Sequence, residues 1–207
     1  MARLTGSDGR RTMAAIQQAA LQLIYEHGYE ATSLRLLAKK VGLHTGSLYN
    51  HISNKQELLF YLIRSHMEDL LRSCSEYMDA HASGDSRADV EHFIRFHIRF
   101  HVDRKHEVFI SYSELRSLDK QNYEFITAMR QIYENRLISL VSAGIDKGAF
   151  HIGDARIVAF GVLSMLAAIP SWFKPDSPLT VDAVTEQFTA FVLNGLAGST
   201  PPANSNP

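Results

Sequence analysis

Apolar residues recur along this chain at the spacing of an α-helix and nowhere alternate with polar ones as a strand requires. Ile16, Ala19, Ala20, Leu23 and Ile24 fall at i, i+3, i+4, i+7 and i+8, one face of a helix that stops at Gly28. Leu34, Leu37, Ala38 and Val41 predict a second helix over Leu34 to Lys40, with Thr32 or Ser33 as its cap and Gly42 as its left-handed stop. A third short helix is expected from about Thr45 to Ile52. Ser53 or Asn54 caps a long fourth one, with Leu59, Leu62, Ile63, Met67, Leu70, Leu71, Cys74 and Met78 along one side. After a break at Ala82 to Ser86, helical stretches are expected at about 87–104, 107–118, 120–147, 154–172 and 180–197. The fold class is therefore all-α. The stretch 198–207 has no apolar content and is expected to be a disordered tail, and no internal repeat is visible.

The segment Thr32 to Leu59 places two short helices about a tight Gly42-Leu43-His44 turn. Val41, Leu43, Leu48 and Ile52 account for its inner side, which leaves Thr45, Ser47, Tyr49, Asn50 and His51 on other faces. Short polar side chains with one aromatic suit a helix lying in the major groove of DNA. Gly46 allows backbone to approach a phosphate closely, and Lys55 sets a cation at the start of the long helix, where free amides also point. Net charge is −1, but it is unevenly spread. Residues 1–60 hold seven Lys/Arg against four Asp/Glu, or +3, and the remainder holds 14 against 18, or −4. A basic first quarter on an acidic remainder fits a DNA-binding head, residues 1–54, on a regulatory helical body, residues 55–197.

At these residues the chain resembles the TetR/AcrR family of bacterial regulators. The matching pieces are Gly28-Tyr29, Thr32-Ser33, Ala38 to Gly42, Gly46 to Ile52 and Lys55 to Leu59. Ile52 replaces the family's usual aromatic, and His44 stands where a small capping residue is common, so the cap can shift to Thr45. The resemblance implies that Thr45, Ser47, Tyr49 and Asn50 face bases or sugar edges, and that Ser33, Tyr49, His51 and Lys55 hold phosphates. For Tyr49 a partly core position is the competing reading, and for His51 a helix cap. Glu114-Leu115-Arg116, Arg130, Gly144 to Phe150, Trp172 to Pro175 and Gly195-Leu196 further resemble a subgroup that responds to acyl-CoA thioesters. This implies a small hydrophobic effector. From the aromatic and Arg-bearing helix faces, Phe93, His97, Phe100, Tyr112, Arg116, Tyr123, Arg130, Tyr133 and Trp172 are candidate ligand contacts. The function implied is that of a repressor released from a palindromic operator, with no cofactor.

Two apolar stripes are expected to form a homodimer interface through helices at about 154–172 and 180–197. Ile157, Phe160, Gly161, Ser164, Met165, Ala168 and Trp172 make the first, and Leu179, Val184, Phe188, Phe191, Val192 and Leu196 the second. Arg130 lies in a stripe of Tyr123, Ile126, Tyr133, Leu137 and Leu140. Its guanidinium either meets a partner such as Glu114 or a ligand group, or reaches solvent over its own stem. His97 and His101, four apart, could grip a metal, and a metal-responsive regulator is the alternative function; a hydrogen-bonded pair is the plainer reading. Cys74, the single cysteine, lies on an apolar stripe and reads as inert, in keeping with a reducing cytosol. The opening residues lack a leader's apolar core, and Ile157 to Pro170 is short for a membrane span, so a cytoplasmic protein with no membrane partner is expected. No Gly-rich phosphate loop, Gly-x-Ser-x-Gly or His-Glu-x-x-His is present, which points away from an enzyme. A purely architectural DNA binder would be more basic and would not need so large an apolar, acidic body.

Overall fold

The computed structural model describes residues 5–198. They form helices α1 (Thr5–His27), α2 (Leu34–Lys40), α3 (Thr45–Leu48), α4 (Lys55–Ala80), α5 (Ser86–Val102), α6 (Lys105–Ser113), α7 (Lys120–Asp146), α8 (Ala155–Ala167), α9 (Ile169–Trp172) and α10 (Val181–Ala197). A 3₁₀ turn, Leu115–Ser117, joins α6 to α7, and no strand occurs among the described residues. The all-α expectation holds. The expected tail lies outside the described residues apart from Gly198.

The chain packs as two compact units. Of the described residues, the first takes those up to Glu68 together with His106–Thr127, and the second takes Asp69–Lys105 together with those from Ala128 onward. Helices α4 and α7 therefore each contribute to both.

In the first unit, Ile16, Ala20, Leu23 and Ile24 of α1 are buried with Leu37 and Ala38 of α2, Leu48 of α3, and Leu59 and Ile63 of α4. Two stops need a positive φ, which glycine adopts without a Cβ penalty: Gly28 at +81° after α1 and Gly42 at +70° after α2. The cap of α2 is Ser33, whose hydroxyl accepts from the Leu36 amide at 3.1 Å, while Thr32 Oγ1 donates to the Gly28 carbonyl. Asn54 caps α4 by accepting from the Glu57 amide at 2.8 Å, and Glu57 reaches back to the Ser53 amide at 2.9 Å. Its bonds with Ser53 hold the Glu57 carboxyl below the usual carboxylate range.

In the second unit α5 is the central helix, and α8, α9 and α10 pack on it. Its inward face is Val90, Phe93, Ile94, His97, Ile98 and His101. Asp85, Asp154 and Thr180 cap α5, α8 and α10 through side-chain oxygens. The last turn of α7 accepts Phe150 only because residue 144 is glycine: a Cβ there would lie 2.1 Å from the Phe150 ring.

Three helix expectations are corrected. The stretch expected at 154–172 is two helices, broken at Ala168, because Pro170 has no amide to offer the Leu166 carbonyl and its ring crowds that position. The one expected at 107–118 ends at Ser113 and tightens into the 3₁₀ turn. The third helix keeps α geometry only over Thr45–Leu48; Asn50 and His51 then close shorter turns onto Ser47 and Leu48. The apolar stretch is also longer than expected: Ala155–Trp172 has a mean hydropathy of 1.5 over 18 residues, enough by length and composition alone to cross a membrane.

Candidate functional site

A core leucine orients the short helix α3. Leu48 is fully buried and Ile52 nearly so, which fixes the inner side of the turn. Thr45, Gly46, Tyr49 and Asn50 are consequently exposed, with Ser47 and His51 half-buried at the margins. Tyr49 is 54% exposed, so the core reading of this residue falls. His44 takes the cap position of α3 without a side-chain cap bond, and Thr45 is the first helical residue rather than the cap. Ser33 is exposed, but its hydroxyl already caps α2. A hydroxyl has further lone pairs and one proton, so a phosphate can still be met there.

Lys55 is less free than its place in the sequence suggests. Its Nζ donates to the Glu30 carbonyl at 3.2 Å and lies 4.0 Å from the centre of the Tyr29 ring. An ammonium carries three protons, so one bond inward leaves capacity for a phosphate, but the side chain also fastens α4 to the turn after α1. Sequence reasoning missed this second role. The signal was the Gly28-Tyr29 pair, whose aromatic ring has a cation to receive.

The candidate ligand residues separate by unit. Tyr112, Arg116 and Tyr123 are exposed residues of the first unit. Phe93, His97, Phe100 and Tyr133 are buried in the second, which also holds half-buried Arg130 and exposed Trp172. The structure brings three of these together: the Phe93 and Tyr133 rings lie 5.2 Å apart, and His97 Nδ1 is 3.0 Å from the Tyr133 hydroxyl. Trp172 instead stacks on Phe188 of α10, ring centres 6.2 Å apart. Arg130 has Glu134 as its charged neighbour one turn on; burial raises the Glu134 carboxyl and Arg130 pulls it back down. Glu114, expected as a possible partner of Arg130, is engaged elsewhere, accepting from the Tyr29 amide and the Ser117 hydroxyl.

His101 Nδ1 lies 2.8 Å from the His97 carbonyl, which can only accept, so that nitrogen carries a proton. Among the described residues no group of three His, Cys, Asp or Glu side chains could hold a metal ion. Cys74 is buried, and burial pushes its thiol up to about 11, the inert state expected of it.

On α8 and α10 the two expected stripes divide. Val184, Val192 and Leu196 turn inward, whereas Ile157, Phe160, Trp172, Leu179 and Phe191 remain outside. Ile157 is 72% and Phe191 68% exposed. Residues of both helices line an open apolar groove of about 600 Å³, among them Gly161, Met165, Phe191 and Gly195.

A short polar helix seated on a buried leucine, one tight turn after α2, defines a helix-turn-helix protein. The chain belongs to the TetR family: a model described as bacterial regulatory proteins, tetR family, matches residues 16–62, and one described as Tetracyclin repressor-like, C-terminal domain, matches residues 83–196. It is a family of DNA-binding transcription regulators, not of enzymes. The chain is 29% identical to the HTH-type transcriptional repressor KstR2 of Rhodococcus jostii, over 93% of this chain and 94% of that one. Its fold matches the ketosteroid transcriptional regulator KstR2 of Mycobacterium tuberculosis with a TM-score of 0.82, at 22% identity, over 90% of this chain and 95% of that one. It also matches AibR, solved in complex with isovaleryl coenzyme A and operator DNA, with a TM-score of 0.76 at 28% identity, over 89% of this chain and 97% of that one.

Proposed function

We propose that this protein is a ligand-responsive repressor that binds a palindromic operator as a homodimer and is released by a small hydrophobic effector of the acyl-CoA thioester class. The observation that carries the DNA-reading part is the exposed, small and polar face of α3 held on Leu48. Thr45, Ser47, Tyr49 and Asn50 read base edges, and Ser33, His51, Lys55 and the Gly46 backbone hold phosphates. The protein acts in the cytoplasm, with residues 1–54 as the DNA-binding part and residues 55–197 serving effector binding and dimerisation.

The dimer forms through α8 and α10, whose exposed Ile157, Phe160 and Phe191 leave an apolar face that water does not favour. The effector class rests on the similarity to AibR, and on a second unit whose buried His97–Tyr133 pair supplies polar groups in an aromatic setting. Arg130, half-buried on the same helix as Tyr133, offers a cation to a thioester carbonyl or a phosphate. The ligand favours a spacing of the two recognition helices that no longer matches the half-sites, so it releases DNA by its differential affinity for two states. The test is release of a bound operator duplex by acyl-CoAs of graded chain length and branching, with wild type and Arg130→Ala. Release by a thioester, weakened in the variant, is expected. Failure of every thioester refutes the effector class, and an unchanged variant refutes the role of Arg130.

A further inference from the structure

Tyr29, the residue after the α1 stop, is only 4% exposed although it sits in a turn. It is held from three directions. Its amide donates to Glu114 Oε1 at 3.2 Å, its ring receives Lys55, and its hydroxyl is hydrogen-bonded by the Gln56 side chain. Gln56 in turn donates to the Ser117 carbonyl at 2.6 Å and accepts from the Asp119 amide at 3.2 Å. Ser117 Oγ closes the circuit by donating to Glu114 Oε2 at 2.9 Å. The corner between α6 and α7, residues 114–119, is thus bonded to two places at once.

Those two places bracket the reading motif. Tyr29 lies four residues before Ser33, the cap of α2, and Gln56 lies just after the turn that follows α3. One corner therefore holds the chain where it enters the helix-turn-helix and where it leaves. The corner belongs to a segment, His106–Thr127, whose chain continues at both ends into the other unit. Hydrogen bonds to a carboxylate are stronger than neutral ones, and losing one leaves a half-buried donor unsatisfied.

We propose that the α6–α7 corner is the bracket that keeps α2 and α3 in the DNA-competent placement, with Glu114 and Gln56 as its positioning residues. Both side chains are half-buried, and their bonds run to other parts of the protein. The proposal rests on the DNA reading proposed above, and its test separates the two.

The full-length protein and its Glu114→Ala, Glu114→Gln and Gln56→Ala variants are titrated with three duplexes: one selected by the wild type from a random pool, a scrambled one, and the selected one with a base pair inserted between half-sites. Hydrogen exchange is followed in parallel. Glu114→Ala and Gln56→Ala should each lose roughly tenfold at the selected duplex and little at the scrambled one, the size expected for a charge-assisted or doubly used bond. They should also tolerate the inserted base pair better than wild type, because a loosened motif accepts a wider range of spacings. The Tyr29 amide should exchange faster in Glu114→Ala and recover in Glu114→Gln, whose side-chain carbonyl still accepts, and operator binding should recover with it. A discriminating wild type with unchanged Glu114→Ala and Gln56→Ala variants overturns the bracket. So does a Glu114→Gln variant as impaired as Glu114→Ala, or an equal loss on all three duplexes. A wild type that cannot tell selected from scrambled DNA overturns the DNA reading itself, and this proposal with it.

Discussion

Acid should destabilise this fold through one identifiable imidazole. His101 is 3% exposed on the inward face of α5, and burial lowers its pKa from 6.5 to about 4, with the Arg104 charge adding to the shift and the bond to the His97 carbonyl opposing it. The unfolded chain takes up this proton near pH 6.5, and the folded chain does so only near pH 4. Between those values the unfolded state binds more protons, so stability falls as the pH falls through the window and is unaffected by His101 above it. Each tenfold in proton affinity is worth about 1.4 kcal/mol, so the loss by pH 4 is roughly 3 kcal/mol. That is a large part of the roughly 5–15 kcal/mol typical of a folded domain. Urea unfolding of wild type and His101→Gln at pH 7, 6, 5 and 4 isolates the contribution, because carboxylates titrate alike in both. Protein concentration must be fixed, since association adds to apparent stability. The wild type should lose about 3 kcal/mol more than the variant over this range. Parallel pH profiles, or an imidazole that titrates near 6.5 in the folded protein, would refute the reasoning.

Lys55→Ala should reduce the salt slope of binding by about 1 on every sequence, and by removing the contact with Tyr29 it should also cost about 0.5–1 kcal/mol of stability. A changed sequence preference with an unchanged salt slope contradicts the phosphate role. Tyr49→Ala, at an exposed position, should leave the melting temperature nearly unmoved and cost about 1–3 kcal/mol at the operator alone; an equal loss on random duplex rejects direct readout. Phe191→Glu should shift the molar mass measured by light scattering from dimer to monomer and lower operator affinity in parallel, because a charge set in the facing apolar surface is not compensated. A variant that remains dimeric places the interface elsewhere.

Much of this architecture was legible because periodicity and caps act locally. The stripe from Ile16 to Ile24, the stops at Gly28 and Gly42 and the seat at Leu48 can be read residue by residue, and each lies where expected. The break at Ala168 was also local, since Pro170 signals it, but a continuous apolar run masked the signal. The assignment of partners was not legible. Glu114 reaches a residue 85 positions away, and Gln56 reaches the Ser117 carbonyl across 61. No spacing rule covers such distances. The candidate ligand residues suffered the same way: a helical stripe places Tyr123 and Tyr133 on one face of α7, yet Tyr123 is exposed and Tyr133 buried, because what packs against a face varies along its length.

The most direct test of the central claim is a comparison of affinities for a duplex that the protein selects from a random pool and for the same bases scrambled, at one stated physiological salt concentration. If α3 reads base edges from both subunits of a dimer, the selected sequence should be palindromic, and its affinity should exceed that of the scrambled duplex by roughly 10³-fold or more. Equal affinities for the two duplexes, or a selected sequence without two-fold symmetry, would contradict the account.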